Sequence, residues 1–338
     1  MIENRWPSEN NKSKDKYILR KCRGQNSNNK YFAPTEFKEK ISKMNDLFKG
    51  VQANDAKDLV NFLIMTLHEE LNAAPKQNNS NSNIFIDQCN KDLILNNFML
   101  NFAQENRSLI SDLFYGTNSN VTKCLNCRKD KYNYQIYFFI IFPLEEIRKS
   151  KIQQEINLFI MNNQNMMNIN PLLYQQNLNI IKQNAPKIDS VDLYDCFTYN
   201  QKIDNFTNEN SMYCNICQGQ FPSTYQTILY TGPEILIIIL NRGQGIQFKV
   251  KCQFNLNLNL YNFIERRDTG FMYDLIGVVT HMGNNDKSGH FVAFCKNPIN
   301  GNWYNYNDDL VFPVNDFKRE VIDYAMPYIL FYQKQKSK

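Results

Sequence analysis

The stretch that decides the fold is Gly-His-Phe-Val-Ala-Phe at residues 289–294, followed by Trp-Tyr-Asn-Tyr-Asn-Asp-Asp at 303–309. Both segments carry the aromatic and β-branched residues of strands, and 297–302 between them, Asn-Pro-Ile-Asn-Gly-Asn, is dense in turn formers. The pattern predicts a β-hairpin. Folding about that turn brings His290 to within a residue or two of Asn307, where facing side chains lie roughly 4.5–5.5 Å apart.

A histidine beside an asparagine can take part in acid–base catalysis. The amide oxygen of Asn307 can orient the imidazole of His290, which then serves as a general base toward a thiol. A His and an Asn that face each other across a hairpin are more often a structural pair. The two residues alone therefore leave both interpretations open.

Composition indicates a globular protein, because 43% of the 338 residues are hydrophobic and 13% are aromatic. The net charge of +5 is spread along the chain without a basic stripe, so nucleic-acid binding is not predicted. The longest apolar runs, 235–240 and 136–144, are far shorter than the roughly 20 residues that cross a bilayer, and the N-terminus has no signal-like apolar segment. We expect a soluble protein of the cytoplasm or nucleus that binds neither membrane nor nucleic acid.

Cysteine spacing points to a metal site. Without a secretory signal, nine cysteines favour free thiols and metal ligands over disulfides. Two Cys-x-x-Cys knuckles, Cys124 with Cys127 and Cys214 with Cys217, could supply four thiolates in a tetrahedron around Zn²⁺. Their wide separation exceeds that of a single zinc ribbon, so spacing alone leaves the metal open. A zinc-ribbon nucleic-acid binder is disfavoured, since no basic or aromatic platform accompanies the knuckles. Four cysteines outside the knuckles have no second cysteine at ligand spacing and are predicted to be buried hydrophobes: Cys89, Cys196, Cys252 and Cys295.

Periodicity predicts helices at 36–48, 55–71 and 94–112, and strands at 132–142, 225–241 and 248–258. Asn54 is the predicted N-cap of the second helix, which places Asp55 and Asp58 in its first turn, where the helix dipole favours carboxylates. Residues 152–184 are rich in Asn, Gln and Met and are predicted to be a low-complexity insertion. The alternative is a partner-binding helix with a stripe of Met161, Met166, Met167 and Leu173.

The hairpin, together with Tyr-Asp-Leu-Ile-Gly-Val-Val-Thr-His-Met-Gly at 273–283 and Pro-Tyr-Ile-Leu-Phe-Tyr at 327–332, resembles the histidine box of the ubiquitin-specific proteases. These are the peptidase C19 ubiquitin carboxyl-terminal hydrolases. Upstream, residues 52–63 resemble the Gln-Gln-Asp-Ala helix of that family, and 111–116 resemble the turn that leads into its fingers. The resemblance implies an α+β, papain-like fold with thumb, fingers and palm.

On this resemblance, residues 1–31 form a polar, irregular N-terminus and 32–336 form the catalytic domain. Its predicted parts are a truncated thumb at 32–117, fingers at 118–226 that include the insertion, and a palm at 227–336. The family's fingers carry two knuckles, so Cys124, Cys127, Cys214 and Cys217 are expected to hold one structural Zn²⁺.

The resemblance also implies roles for individual residues. His290 would be the general base, Asn307 its orienter and Asp308 a polar supporter of the transition state. The predicted substrate-binding residues face the basic, Gly-Gly-ended tail of ubiquitin, and they are Asp55, Asp58, His281 and Phe291. Phe291 replaces the family's usual tyrosine and so keeps the ring while losing the hydroxyl. The expected partners are ubiquitin and ubiquitinated proteins.

One family element is absent from the sequence, namely the cysteine box Gly-Leu-x-Asn-x-Gly-Asn-Thr-Cys-Tyr-x-Asn that supplies the nucleophile. Cys22 is the only early cysteine. Its basic neighbours would lower a thiol pKa, but no amphipathic helix follows to present a thiolate, so it is not predicted to be catalytic. We expect a cysteine-type deubiquitinase by family whose cysteine box lies upstream of Met1, and the 338-residue chain itself to be inactive. The alternative is a ubiquitin-binding pseudoenzyme, which would have little reason to keep both His290 and Asn307.

Overall fold

The computed structural model describes residues 34–50, 54–75, 88–184, 189–243, 250–283, 289–323 and 326–336. The predicted N-terminal region at 1–31 with Cys22, and residues 52 and 53 of the helix motif, lie outside these ranges. Among the described residues, no helix is both long and apolar enough to cross a membrane.

Eight α-helices occur in the described ranges: α1 (Thr35–Met44), α2 (Ala56–Leu71), α3 (Lys91–Glu105), α4 (Leu109–Phe114), α5 (Leu144–Asn162), α6 (Gln164–Ile169), α7 (Pro171–Asn184) and α8 (Leu193–Asn200). Helices α1 to α4 form the thumb. Short 3-10 turns at Asp46–Phe48, Asn208–Asn210 and Arg267–Thr269 and a π-helical turn at Lys318–Asp323 complete the helical elements.

Three helices of the thumb differ from the sequence prediction, and capping explains each difference. The helix predicted at 36–48 ends at Met44, and the Asn45 side chain caps the 3-10 turn that follows. The N-cap of α2 is Asp55, not Asn54, because the Asp55 carboxylate accepts a hydrogen bond from the Lys57 N–H. The helix predicted at 94–112 is two helices: the first ends at Glu105, and Ser108 starts the second through a capping box with Ser111.

The strands of the described ranges are, in chain order, β1 (Gly116–Cys124), β2 (Asp130–Tyr137), β3 (Ile140–Pro143), β4 (Ser190–Asp192), β5 (Asp204–Phe206), β6 (Met212–Cys214), β7 (Gly219–Phe221), β8 (Ser223–Thr231), β9 (Ile235–Asn241), β10 (Lys251–Gln253), β11 (Asn257–Asn259), β12 (Met272–Met282), β13 (His290–Lys296), β14 (Trp303–Asn307), β15 (Leu310–Pro313) and β16 (Pro327–Lys334).

Two large sheets organise these strands. The finger sheet has the order β2-β1-β8-β5, and the palm sheet has the order β15-β14-β13-β12-β16-β9-β3, with β11 beside β12. The single strands predicted at 132–142 and 225–241 are therefore each broken between sheets, as β2 and β3 and as β8 and β9. At the second break, a Cβ on Gly232 would lie 2.1 Å from the Tyr273 hydroxyl, so only glycine fits where the chain passes from fingers to palm.

Strand β9 is buried on both faces, as its apolar run predicts. Leu236, Ile238 and Leu240 belong to the main core, on the side of α5 and α8. Ile237 and Ile239 pack on the opposite side with Ile64 of α2 and Ile110 of α4. The thumb is thereby fixed against the palm sheet, which places the start of α2 beside the start of β16.

The Asn/Gln-rich segment 152–184 is helical. It continues α5 from palm strand β3, turns back through α6 and α7, and leads to β4, which pairs with β10. Leu144 and Ile147 at the base of α5 are buried in the palm core. The segment thus leaves from the palm sheet, whereas the sequence pattern assigns it to the fingers. The α+β class is confirmed, and the residue limits of thumb, fingers and palm stay predictions.

Candidate functional site

The predicted hairpin is formed by β13 and β14, with Ala293 facing Tyr306 and Phe294 facing Asn305. In this register His290 lies at the end of β13, diagonal to Asn307 at the end of β14. The two side chains meet, with 2.6 Å between His290 Nε2 and Asn307 Oδ1. The contact that the sequence predicted is therefore observed.

This contact selects the tautomer of the His290 ring. An amide oxygen only accepts, so Nε2 carries the proton and Nδ1 keeps the lone pair that can accept another. The His290 side chain is 45% exposed, so a reactant can reach the ring. An imidazole held in this way is a competent general base for a thiol placed next to Nδ1.

Asp308 approaches the same ring, with Oδ2 3.6 Å from His290 Nε2. It lies in the tight loop that pairs Asn307 with Leu310, and its φ of 51° is in the left-handed region that Asp tolerates better than most residues. Its side chain is 77% exposed, so water screens its charge. Asp308 can support a protonated His290 only modestly.

Asp55 connects the thumb to the palm. The Tyr328 hydroxyl on β16 donates to the Asp55 carboxylate and lies 2.8 Å from each of its oxygens. The same carboxylate caps α2 through the Lys57 N–H. Burial, and then the bond to Asp55, raise the pKa of Tyr328, so it remains a donor. Asp58, one turn into the helix, has a 47% exposed side chain and the Lys57 ammonium 3.8 Å from its Oδ1.

Sequence reasoning did not identify Tyr328 as a site residue, because it lies in an apolar closing strand. The available signal was its hydroxyl, which needs a partner when the surrounding strand is buried. The Tyr328 ring also packs on Phe291, with centroids 5.4 Å apart, and Phe291 packs on His281 at 5.1 Å. These rings join Asp55 to the histidine hairpin in one continuous wall.

Gly289 is required by this packing. A Cβ at Gly289 would lie 2.0 Å from His281 Nε2, so any larger residue displaces that imidazole. Burial, and then the charge of Arg242, lower the pKa of His281, which is therefore neutral at pH 7.

Arg242, 2% exposed, anchors the start of β16. Its Nε and Nη2 donate to the Pro327 carbonyl at 3.0 and 2.8 Å, and its Nη1 donates to the Val250 carbonyl. Burial lowers its pKa to about 10, so it is still a cation at neutral pH. By fixing Pro327, Arg242 fixes the backbone next to Tyr328.

None of the cysteines in the described part of the chain belongs to this wall. Cys196 and Cys252 are core residues. Cys295 lies five residues beyond His290 on β13, and since side chains alternate along a strand it points to the opposite face. Burial raises the pKa of Cys295, which disfavours a thiolate. Cys22, the one cysteine outside the described ranges, is not placed.

The four knuckle cysteines form a cluster in the fingers. Their sulfur atoms all lie within 4.8 Å of one another, and Cys127 and Cys214 are 3.8 Å apart. Four thiolates around Zn²⁺ at roughly 2.3 Å have sulfurs about 3.8 Å apart, so the geometry fits a tetrahedral site.

The two knuckles have matching backbones. The residue after each second cysteine, Arg128 and Gln218, has a positive φ, of 59° and 56°. The backbone N–H of Cys217, and then that of Ile216, outweigh burial and lower the pKa of the Cys214 thiol to about 7. This donor environment favours a thiolate at Cys214, the form that binds metal. At Cys127 the Lys129 backbone N–H lowers the pKa, but burial and the other three sulfurs outweigh it and raise the pKa to about 12.

A helical thumb, a palm hairpin with a His–Asn pair and a four-cysteine cluster in the fingers define the class of papain-like ubiquitin hydrolase folds. The family model described as ubiquitin carboxyl-terminal hydrolase matches residues 4–332, and the chain belongs to this family. The family predicted from the sequence motifs is confirmed.

Relatives of known sequence agree with this assignment. The chain is 25% identical over 316 residues to ubiquitin carboxyl-terminal hydrolase 2 of Bos taurus, and the matched region covers 91% of this chain and 44% of the bovine protein. It is 25% identical over 321 residues to ubiquitin carboxyl-terminal hydrolase 13 of Saccharomyces cerevisiae, covering 90% of this chain and 35% of the yeast one. The chain thus spans less than half the length of both proteins.

A solved SAGA DUB module of Ubp8, Sgf11, Sus1 and Sgf73, bound to monoubiquitin, shares the fold. The TM-score is 0.57 at 18% identity, over 88% of this chain and 52% of the matched chain. A second structure of the Ubp8/Sgf11/Sus1/Sgf73 module, bound to ubiquitin aldehyde, gives a TM-score of 0.55 at 18% identity over 93% of this chain and 56% of that one.

Proposed function

We propose that this chain binds the C-terminal tail of ubiquitin beside α2 and the palm hairpin, and that His290 and Asn307 are the base and its orienter for thiol-dependent hydrolysis after the last glycine of ubiquitin. The observation that carries the proposal is the 2.6 Å contact between His290 Nε2 and Asn307 Oδ1. Family membership and the ubiquitin bound in the structural relatives support it.

The thiol of the proposed reaction is that of the family's cysteine box, which this sequence does not contain. His290 Nδ1 would accept the proton of that thiol while its sulfur attacks the carbonyl carbon of the terminal glycine. Asn307 holds the resulting imidazolium, and Asp308 adds a screened attraction. The imidazolium then gives its proton to the leaving amine as the C–N bond breaks, which leaves a thioester. Water, deprotonated by His290, cleaves the thioester and regenerates the thiol.

Asp55 and Asp58 are the proposed partners of the basic ubiquitin tail. A carboxylate has roughly four acceptor positions, so Asp55 can bind a guanidinium while it also serves the Lys57 N–H and Tyr328. Its side chain remains 36% exposed, which leaves room for this contact. By fixing one edge of the carboxylate, Tyr328 would orient the other edge toward the tail.

The four-cysteine cluster is proposed to hold one structural Zn²⁺, supported by its fit to tetrahedral sulfur geometry. Cys124 ends β1 and Cys127 lies in the turn after it, while Cys214 ends β6 and Cys217 lies in the turn before β7. A shared metal would join the two finger hairpins. The metal takes no part in the proposed proton transfers.

A second candidate function is ubiquitin binding without hydrolysis. The observation that favours it is the placement of all described cysteines away from His290. In this case the wall from Asp55 to the histidine hairpin only binds the ubiquitin tail, and the His290–Asn307 pair stabilises the hairpin.

Ubiquitin with a C-terminal cysteine-reactive group tests the site, read out by intact mass and peptide mapping. We expect the 338-residue chain to bind this probe without a covalent adduct. An adduct on Cys22 or Cys295 would overturn the exclusion of these nucleophiles, and no binding at all would contradict both candidate functions.

An engineered version separates the two candidates by adding the family's cysteine box ahead of Met1. Ubiquitin hydrolysis that is lost in His290→Ala supports the catalytic proposal. If the extended version binds ubiquitin as tightly as the 338-residue chain but does not hydrolyse it, the function is ubiquitin binding alone.

A further inference from the structure

The helical insertion between β3 and β4 exposes apolar side chains at its outer end. We define the insertion tip as residues 158–173, where α5 ends, α6 lies and α7 begins. The exposed fractions are 57% for Leu158, 68% for Met161, 52% for Met167, 83% for Ile169, 71% for Leu172 and 42% for Leu173.

These side chains are not needed for the insertion's own packing. Tyr174 and Leu178 form its interior and are only 4% and 7% exposed. The Phe159 and Tyr174 rings stack with centroids 5.9 Å apart, which joins α5 to α7. The Asn170 side chain accepts from the Leu173 N–H at the start of α7, so the last turn of the tip is fixed. The tip is therefore held by contacts of its own, and its six apolar side chains are left exposed.

The charge of the tip restricts what can cover it. Residues 156–181 contain no Asp, Glu, Lys or Arg, in a chain that is 21% charged. A charged partner surface would lose its hydration here without gaining a counter-charge, which is unfavourable. Helices that lie on membranes carry Lys and Arg on their polar face, and the tip has none. The occupant must itself be apolar and uncharged.

We propose that the occupant is a second copy of this chain, joined tip to tip about a two-fold axis. Across such an axis the same surface meets itself, so a surface without charges never requires a counter-charge from its partner. The Asn and Gln side chains around the tip have both a donor and an acceptor, so they can pair with their own kind. A surface of aliphatic and amide groups without charge is complementary to itself.

The exposed area is of the size that a dimer needs. Six partly exposed aliphatic side chains offer on the order of 400 Å² of apolar surface. Since interfaces are about 60% apolar, this corresponds to roughly 700 Å² per copy, close to the roughly 800 Å² per partner of a standard interface. An apolar area of this size is comparable to the largest patch on a typical protein, and such patches often mark an interaction site.

Sedimentation velocity of the full chain under reducing conditions tests the proposal. Between about 1 and about 200 µM, a range in which interfaces of this size dissociate, we expect a reversible monomer–dimer equilibrium. The double variant Ile169→Glu with Leu172→Glu should raise the dissociation constant at least about 100-fold, because apolar burial is lost and like charges meet at the axis.

The matched control is Ile203→Glu with Ile299→Glu, which adds the same two charges at isoleucines that are 58% and 77% exposed, one between α8 and β5 and one in the turn between β13 and β14. It should dimerise like the unaltered chain. A chain that stays monomeric at every concentration overturns the proposal, as does a dimer that persists in the tip variant. Equal loss of dimer in the control variant would also overturn it, since the effect would then not belong to the tip.

Discussion

Removing the bridge between Asp55 and Tyr328 should uncouple the thumb from the palm. Tyr328→Phe removes one hydrogen bond to a carboxylate, which costs about 1.5 kcal/mol because the 36% exposed Asp55 can be rehydrated. Asp55→Ala removes the α2 cap, worth about 1 kcal/mol, and leaves a half-buried Tyr328 hydroxyl without this partner, for a combined cost of roughly 2.5 kcal/mol. The double variant should lose little more than Asp55→Ala alone.

Urea unfolding followed by circular dichroism measures this coupling. We expect the sum of the stability losses in the two single variants to exceed the loss in the double variant by about 1.5 kcal/mol of free energy of unfolding. Asp55→Asn keeps the cap and should cost less than Asp55→Ala. Tyr261→Phe, at a 44% exposed tyrosine away from Asp55, is the control and should change stability little. Additive effects within about 0.5 kcal/mol would refute the bridge.

Three further predictions concern the metal cluster and the site wall. Elemental analysis should find about one zinc per chain, and Cys127→Ser with Cys214→Ser should abolish it; zinc retained by that variant would contradict the site. Gly289→Ala, whose Cβ would lie 2.0 Å from His281 Nε2, should displace that ring and weaken ubiquitin binding roughly tenfold, as measured by titration calorimetry. Unchanged affinity would show that His281 takes no part in ubiquitin binding. Because the pKa of His281 is lowered in the fold, the unfolded chain binds a proton that the native chain does not, so the free energy of unfolding should fall as pH drops below about 6.5. His281→Gln should make the free energy of unfolding depend less on pH below about 6.5, whereas the control His68→Gln should leave that dependence as it is. An unchanged pH dependence in His281→Gln would show that His281 does not titrate in this way.

The hairpin and the cysteine cluster were predictable because their signals are local. Turn formers at 297–302 fix which residues of β13 and β14 meet, so His290 and Asn307 follow from the register. Each knuckle is likewise a short motif, although the meeting of the two knuckles depends on the finger sheet. These features need only strand alternation and turn chemistry.

The bridge from Asp55 to Tyr328 was not predictable in this way, since 273 residues separate its partners and neither position carries a distinctive local pattern. The break at Gly232 carried a local signal that the prediction did not use, since Gly232-Pro233 is a turn-forming dipeptide inside 225–241. The sequence does not show the Tyr273 hydroxyl on a distant strand, which leaves no room for a Cβ at Gly232. The helical state of 152–184 was obscured by composition, because Asn and Gln weaken the periodic signal on which helix prediction depends.

Calorimetric titration with intact ubiquitin and with ubiquitin truncated before its C-terminal tail tests the central claim most directly, because it requires no nucleophile. The site wall from Asp55 to His290 is proposed to hold that tail, and charge-assisted bonds to a carboxylate contribute roughly 1.5–3 kcal/mol each. Intact ubiquitin should therefore bind at least about tenfold more tightly than the truncated form, and Asp55→Asn should reduce this difference. Equal affinities for the two forms, or no binding of either, would contradict the account.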